Sequence, residues 1–226
     1  ELERRTMPSV ANMGQQPEIR WEYRPALIDY VTSLHAQLKL CQDTLYLTVN
    51  LMDRYLSTRI VHVHMLQLLV VACTWVASKL EEEKHHIPRL DDLVYACNSA
   101  YDKLEVKRME IEILVTLKYV LRHPNPELFI HRTALTQDEA PLTINVARYF
   151  AELTLFEADF LSYLPSTVAA AALSLARSLL GAQRTTDTDA QATACENQLR
   201  LRLSHVPPTL HAKYARSRFS EASIIV

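Results

Sequence analysis

The sequence predicts an all-α protein. Glycine occurs only twice in 226 residues, at Gly14 and Gly181. Sandwiches and barrels need many tight turns, and glycine supplies the positive φ that those turns require. Apolar residues make up 49% of the chain, enough for a packed core. In one segment after another they recur at steps of three and four, the period of a helix. The glycine shortage also removes the clustered-glycine phosphate cradles of Rossmann and P-loop proteins, so a nucleotide-binding enzyme is not expected.

Residues 1–19 read as a lead-in, irregular because Pro8 and Pro17 break any long helix, with Glu1–Thr6 as the end of a helix begun upstream. Arg24–Leu40 is the first full helix, with Leu27, Val31, Leu34 and Leu38 on one face and Pro25 tolerated in the first turn. Asp43–Ser57 follows, its carboxylate placed where unpaired N–H groups need it. Leu45, Val49, Met52 and Leu56 line one face and Leu47, Leu51 and Tyr55 another, so this helix is buried nearly all round. Asp53 sits inside it, and a buried carboxylate needs a partner. His64–Glu83 carries Leu66, Leu69, Cys73, Val76 and Leu80 on one stripe, with Ala72 and Ala77 for close approach. Leu90–Cys97 is a short helix, and Lys103–Lys118 is the next, with Leu104, Ile111, Leu114 and Val115 predicted inward.

Arg122-His-Pro-Asn-Pro126 ends that run and marks the domain boundary, giving domains at 20–122 and 123–226. Beyond it the helices are Glu127–Thr136, Leu142–Phe156, Ser166–Leu180, Ala192–Leu203 and Thr209–Ser220, with Gln183–Gln191 as a polar loop. Five helices, a proline break and five more suggest a duplication by spacing alone.

Net charge is −2 and no Lys/Arg run exceeds two, so no nucleic-acid surface is expected. No apolar stretch reaches about eighteen uninterrupted residues, so no membrane span is expected. The sequence starts at Glu1 without a signal-peptide pattern, as a piece of a longer chain would. Cys41, Cys73, Cys97 and Cys195 are scattered singly, and Cys73 lies on an apolar run, which suits reduced thiols in an intracellular protein.

These residues resemble a known family. Tyr23-Arg-Pro-Ala-Leu-Ile-Asp-Tyr30, the run Asp43–Ser57, Val76-Ala-Ser-Lys-Leu-Glu-Glu82 and Arg108-Met-Glu110 resemble the cyclin box. Ala151-Glu-Leu-Thr-Leu-Phe-Glu-Ala-Asp159 and Tyr163-Leu-Pro-Ser166 resemble the second box of A- and B-type cyclins. Met13-Gly-Gln-Gln-Pro-Glu-Ile19 is similar to the segment before such a box. Arg59-Ile-Val61, Lys84-His-His-Ile-Pro-Arg89 and Arg122–Pro126 resemble fungal G1/S or B-type members. The resemblance implies two consecutive five-helix cyclin-box bundles, each wrapped around a buried third helix. It implies no catalysis and no cofactor. It implies a regulatory subunit, at G1/S and in nucleus and cytoplasm, that binds a cyclin-dependent kinase and holds it in the arrangement that aligns ATP.

By the same resemblance Lys79, Glu110 and Glu82 match kinase-binding positions. Tyr23, Ala26, Leu27, Tyr30, Ser33, Leu66 and Gln67 match the patch that docks short Arg-x-Leu-like motifs of substrates and inhibitors. Here Tyr30 stands for the usual Trp, Tyr23 for Met and Ser33 for an acidic residue, so a more apolar or differently charged peptide is expected. Arg24 matches the arginine that pairs with Asp53, a structural ion pair. Glu81-Glu-Glu83 reads as a solvated charge run at a helix end. His62 with His64, and His85 with His86, read as loop histidines, since a metal site needs three or four converging ligands and no cysteine or acidic cluster accompanies His62 and His64. Arg200-Leu-Arg-Leu203 fits a bare Arg-x-x-Leu degradation pattern but falls in a predicted helix. The competing readings are a transcriptional or otherwise specialised cyclin, and a DNA-binding factor of cyclin-like boxes, which would need a basic face.

Overall fold

The computed structural model describes residues 1–182 and 189–226, and among them there is no strand. The chain forms two compact units, Glu1–His123 and Pro124–Val226.

The first unit opens with two single-turn helices, α1 (Leu2–Arg5) and α2 (Val10–Met13), and a 3₁₀ turn at Trp21–Tyr23. α1 falls within the helix end expected at Glu1–Thr6, whereas α2 and the 3₁₀ turn lie in the stretch read as irregular, and side chains fasten the lead-in down. Asn50 Nδ2 donates to the Thr6 carbonyl at 3.0 Å, and Thr6 Oγ1 lies 2.7 Å from His123 Nδ1. Gln16 Nε2 donates to the Leu56 and Arg59 carbonyls, and its Oε1 accepts from Val61 N–H. Proline breaks long helices but leaves room for single turns, and these bonds supply what propensity does not.

Four further helices and a short one complete the unit: α3 (Arg24–Gln37), α4 (Gln42–Leu56), α5 (Leu66–Glu81), α6 (Leu90–Ala96) and α7 (Lys103–Thr116). Every residue of α4 from Thr44 to Leu56 is buried, as its two apolar rows predict. α5 packs beside it with Leu69, Val70, Val71, Ala72, Cys73 and Ala77 fully enclosed. The segment Val63–Glu81 reaches a mean hydropathy of 1.5, long and apolar enough to cross a membrane, but 67% of it is buried in the unit, as expected of a core helix. α3 faces them with Ile28, Val31 and Leu34, while Leu27 and Leu38 are only half-buried. Ile28 rather than Leu27 is the anchor of that helix.

On α7 the inward face differs from the prediction. Leu104, Ile111 and Val115 are exposed, at 52%, 59% and 53%, whereas Val106, Met109 and Ile113 are buried. Two apolar rows compete on this helix. The row 106, 109, 113 continues through buried Leu117 and wins the core. Asp102 fixes the start of α7: its carboxylate accepts from Leu104 and Glu105 N–H, and Glu105 returns the bond to Asp102 N–H.

The second unit contains α8 (Pro126–Gln137), α9 (Pro141–Leu153), α10 (Pro165–Leu179), α11 (Ala190–Arg202), α12 (Pro208–Tyr214) and α13 (Ala222–Ile225). Each of α8, α9, α10 and α12 has proline in its first turn, where the missing N–H costs nothing. Asn125 caps α8 through the Leu128 N–H at 2.9 Å. Of the polar loop expected at Gln183–Gln191, residues 183–188 lie outside the described residues, and Ala190 and Gln191 are already helical. The helix expected over Thr209–Ser220 stops at Tyr214. A 3₁₀ turn at Ser217–Phe219 follows, with the Phe219 and Tyr214 ring centroids 4.6 Å apart, and the chain then turns through Ser220 and Glu221, both at positive φ. Arg200–Arg202 is helical, as the sequence predicts for that pattern.

Candidate functional site

The three positions matched to kinase binding lie on the C-terminal turn of α5, just beyond it, and on α7. Lys79 and Glu110 come together: Lys79 Nζ donates to Glu110 Oε1 at 2.6 Å. The ammonium also sits 3.2 Å from the centre of the Trp75 ring, one turn earlier on α5. The Lys79 side chain is 35% exposed and that of Glu110 16%. Each keeps hydrogen-bonding capacity beyond the pair, since an ammonium has three donors and a carboxylate two oxygens. The pair can therefore offer donors to carbonyls and acceptors to N–H groups at a helix end. Beside Glu110 runs the exposed row Leu104, Ile111 and Val115, followed by Tyr119 at 68% exposure. Trp75 was not singled out from the sequence, and Leu104, Ile111 and Val115 were read as an inward face rather than a surface row. The signal was present in the second apolar row of α7, which cannot face the core if the first one does.

Glu82 faces inward. Its Oε1 accepts from Cys41 N–H at 2.7 Å and from Thr44 Oγ1 at 2.6 Å. The expectation of a solvated acidic run thus fails at its middle member. The cause is local: Cys41 occupies the N-cap of α4 and its side chain makes no capping bond. A carboxylate 41 residues away in sequence serves instead, near the positive end of the α4 dipole.

The residues matched to the docking patch lie just before and along α3 and at the start of α5. Tyr30 and Gln67 are joined, with Gln67 Nε2 donating to the Tyr30 hydroxyl at 3.2 Å. Burial pushes the Tyr30 phenol above its ordinary range, although the Gln67 bond opposes this. Ala26 and Ser33 are exposed, Leu27 is half-buried, and Leu66 is 8% exposed. Tyr23 does not continue the helical face. It closes the 3₁₀ turn before α3, is 44% exposed, and lines an apolar cleft with Met13, Ile19, Trp21, Leu27 and Leu56. Tyr23 and Leu27 thus border a hollow built in part by the lead-in.

Arg24 and Asp53 form a bidentate pair, Nη1 to Oδ1 at 2.8 Å and Nη2 to Oδ2 at 2.9 Å, with the residues 5% and 1% exposed. This joins the first turn of α3 to the last turn of α4. The second unit has a counterpart that the sequence reading missed. Glu152 on α9 is fully buried and accepts from Lys213 Nζ at 2.7 Å and from the Tyr214 hydroxyl at 2.8 Å. An acidic residue inside an apolar helical run was the signal in both places.

Residues 1–122 match the family described as cyclin, N-terminal domain, and residues 124–226 that described as cyclin, C-terminal domain. The G2/mitotic-specific cyclin-B of Emericella nidulans is 33% identical over 180 residues, covering 80% of this chain and 37% of that protein. The G2/mitotic-specific cyclin cdc13 of Schizosaccharomyces pombe is 35% identical over 181 residues, again 80% and 37%. The chain thus spans less than half the length of these curated relatives. The X-ray structure of a viral cyclin from herpesvirus saimiri shares the fold at a TM-score of 0.77, with 18% identity over 90% of this chain and 95% of that one. With both halves of the sequence matched in order to the two domains of one family, this chain belongs to the cyclins.

Proposed function

We propose that this chain is the kinase-binding part of a regulatory subunit that activates a cyclin-dependent protein kinase and so governs cell-cycle progression. The observation that carries the reading is the Lys79–Glu110 pair set beside the exposed row of α7. An apolar row rimmed by a charge pair suits a partner helix that is apolar along its side and polar at its end. Binding one kinase conformation better than another shifts the kinase toward that conformation, which is all an activator without chemistry of its own has to do. The chain itself is not a catalyst in this reading.

The phase expected from the sequence was G1/S. The names of the relatives support G2 and mitosis instead, and the B-type side of the resemblance agrees with them. Nucleus and cytoplasm are the proposed locations, from the cyclin resemblance of the sequence. Substrates or inhibitors dock at Tyr23, Ala26, Leu27, Tyr30, Ser33, Leu66 and Gln67. With Ser33 in place of a carboxylate, apolar anchors matter more there than a basic residue, and a titration with basic and neutral versions of one peptide reads this directly.

The test is co-purification with a cyclin-dependent kinase and an activity assay with and without the chain. The Lys79→Ala/Glu110→Ala double variant is expected to keep its helical content and to lose at least tenfold in kinase affinity, about 1.4 kcal/mol or more. Normal activation by the double variant would remove this pair from the interface. Activation of no such kinase by the wild-type chain would remove the function and leave the fold.

A further inference from the structure

We propose that Glu83, His85 and His86 form a binding site for one divalent transition-metal ion, of the zinc or nickel class, in the turn after α5. The turn is closed by His86 N–H donating to the Glu83 carbonyl at 2.7 Å, which returns both side chains to the same side. His85 Nε2 lies 3.4 Å from Glu83 Oε2. Donors held at about 2 Å from one ion stand roughly 3–3.5 Å apart, so these two atoms already have the separation of a shared metal. The His85 and His86 rings are 4.2 Å apart between centroids and tilted by 51°. One ligand atom from each of the three residues falls within 4.8 Å of the others. All three residues are exposed, so the small rotation that completes the set meets no packing.

The donor set decides the class of ion. Two imidazoles and one carboxylate suit borderline first-row cations, whereas calcium and magnesium need shells of oxygen. Three protein ligands leave a coordination position open for water or for a donor from a bound partner. The ion would clamp the turn one residue beyond Glu82, whose carboxylate holds the start of α4. The proposal does not depend on the regulatory function, since it concerns only what these three side chains bind.

A second histidine pair supplies an internal control. His62 and His64 stack with centroids 5.6 Å apart, and His62 Nδ1 lies 2.8 Å from Glu18 Oε1. Among the described residues only the Glu83 group has three convergent ligand atoms.

The experiment is calorimetric titration of the tag-free chain, stripped with a chelator, with zinc and nickel chlorides and with magnesium chloride. One zinc or nickel ion per chain is expected, with no magnesium heat. His85→Ala/His86→Ala is expected to weaken binding at least tenfold, and Glu83→Gln to weaken it less, both with unchanged circular dichroism. His62→Ala/His64→Ala is expected to bind like wild type. No stoichiometric uptake, equal binding by the His85/His86 variant, or loss in the His62/His64 variant alone would overturn the site.

Discussion

His123 is held neutral by its surroundings. Burial drives its pKa from the ordinary 6.5 down to about 4, and the nearby Arg54 guanidinium adds to this. Its Nδ1 is 2.7 Å from Thr6 Oγ1, so the imidazole ties the lead-in to the end of the first unit. Between pH 6.5 and about 4 the unfolded chain takes up a proton that the folded chain refuses. Stability therefore falls as pH drops through that window and levels off below it, with a total loss of roughly 3 kcal/mol from this residue. His123→Asn cannot take up that proton. Its melting temperature is expected to fall less than that of the wild type between neutral pH and pH 4, and equal falls would show that His123 titrates normally. Thr32 is a smaller strain of the same kind, a buried hydroxyl whose Oγ1 has no hydrogen-bond partner.

At the scale of elements, the start of α4 depends on a side chain from the end of α5. Replacing Glu82 by Ala leaves Cys41 N–H and Thr44 Oγ1 without their acceptor. The loss is expected to be about 1–2 kcal/mol, as for other capping side chains. Glu82→Gln keeps an acceptor and is expected to recover most of it, read by chemical denaturation and by hydrogen exchange at the Cys41 amide. Equal stability of all three would mean that α4 starts without help. This contact was not legible in the sequence, because Glu82 and Cys41 are far apart along the chain and nothing in local spacing pairs them. What was legible is what depends on period and punctuation. The burial of α4 and α5 follows from apolar rows, and the starts of α8, α9, α10 and α12 from proline. α7 failed because two apolar rows fit the same helix and only the surroundings choose between them. The turn at α2 and the break after Tyr214 were missed for a related reason: side-chain contacts, at Ser9 and Gln16 in one case and between Tyr214 and Phe219 in the other, accompany both. Lys79 and Glu110 were legible as family positions, but their mutual bond over the Trp75 ring was not.

At the scale of the whole molecule, the two units use the same device with different parts. Each encloses a carboxylate on a core helix and answers it with a cation from elsewhere in its own unit: Asp53 with Arg24, and Glu152 with Lys213, helped by the Tyr214 hydroxyl. Removing one partner strands the other charge, at a cost of roughly 3–5 kcal/mol. Asp53→Ala and Glu152→Ala are each expected to lower the melting temperature sharply. Because the two sites share no partner, their effects on unfolding free energy are expected to add within about 0.5 kcal/mol. Strong non-additivity would show that the two sites are energetically coupled. A wild-type melting temperature for Asp53→Ala would contradict its burial.

The four thiols have a further consequence. All are free, and Cys73 and Cys195 are completely enclosed, one in each unit. Burial pushes the Cys195 thiol up to about 12 and the Cys73 thiol higher still, so neither forms the reactive thiolate while its unit is closed. Alkylation of either one marks an opening event, and the two rates, resolved by peptide mass, time the opening of each half separately. The chain thus carries a clock in each of its boxes, with no label to be engineered.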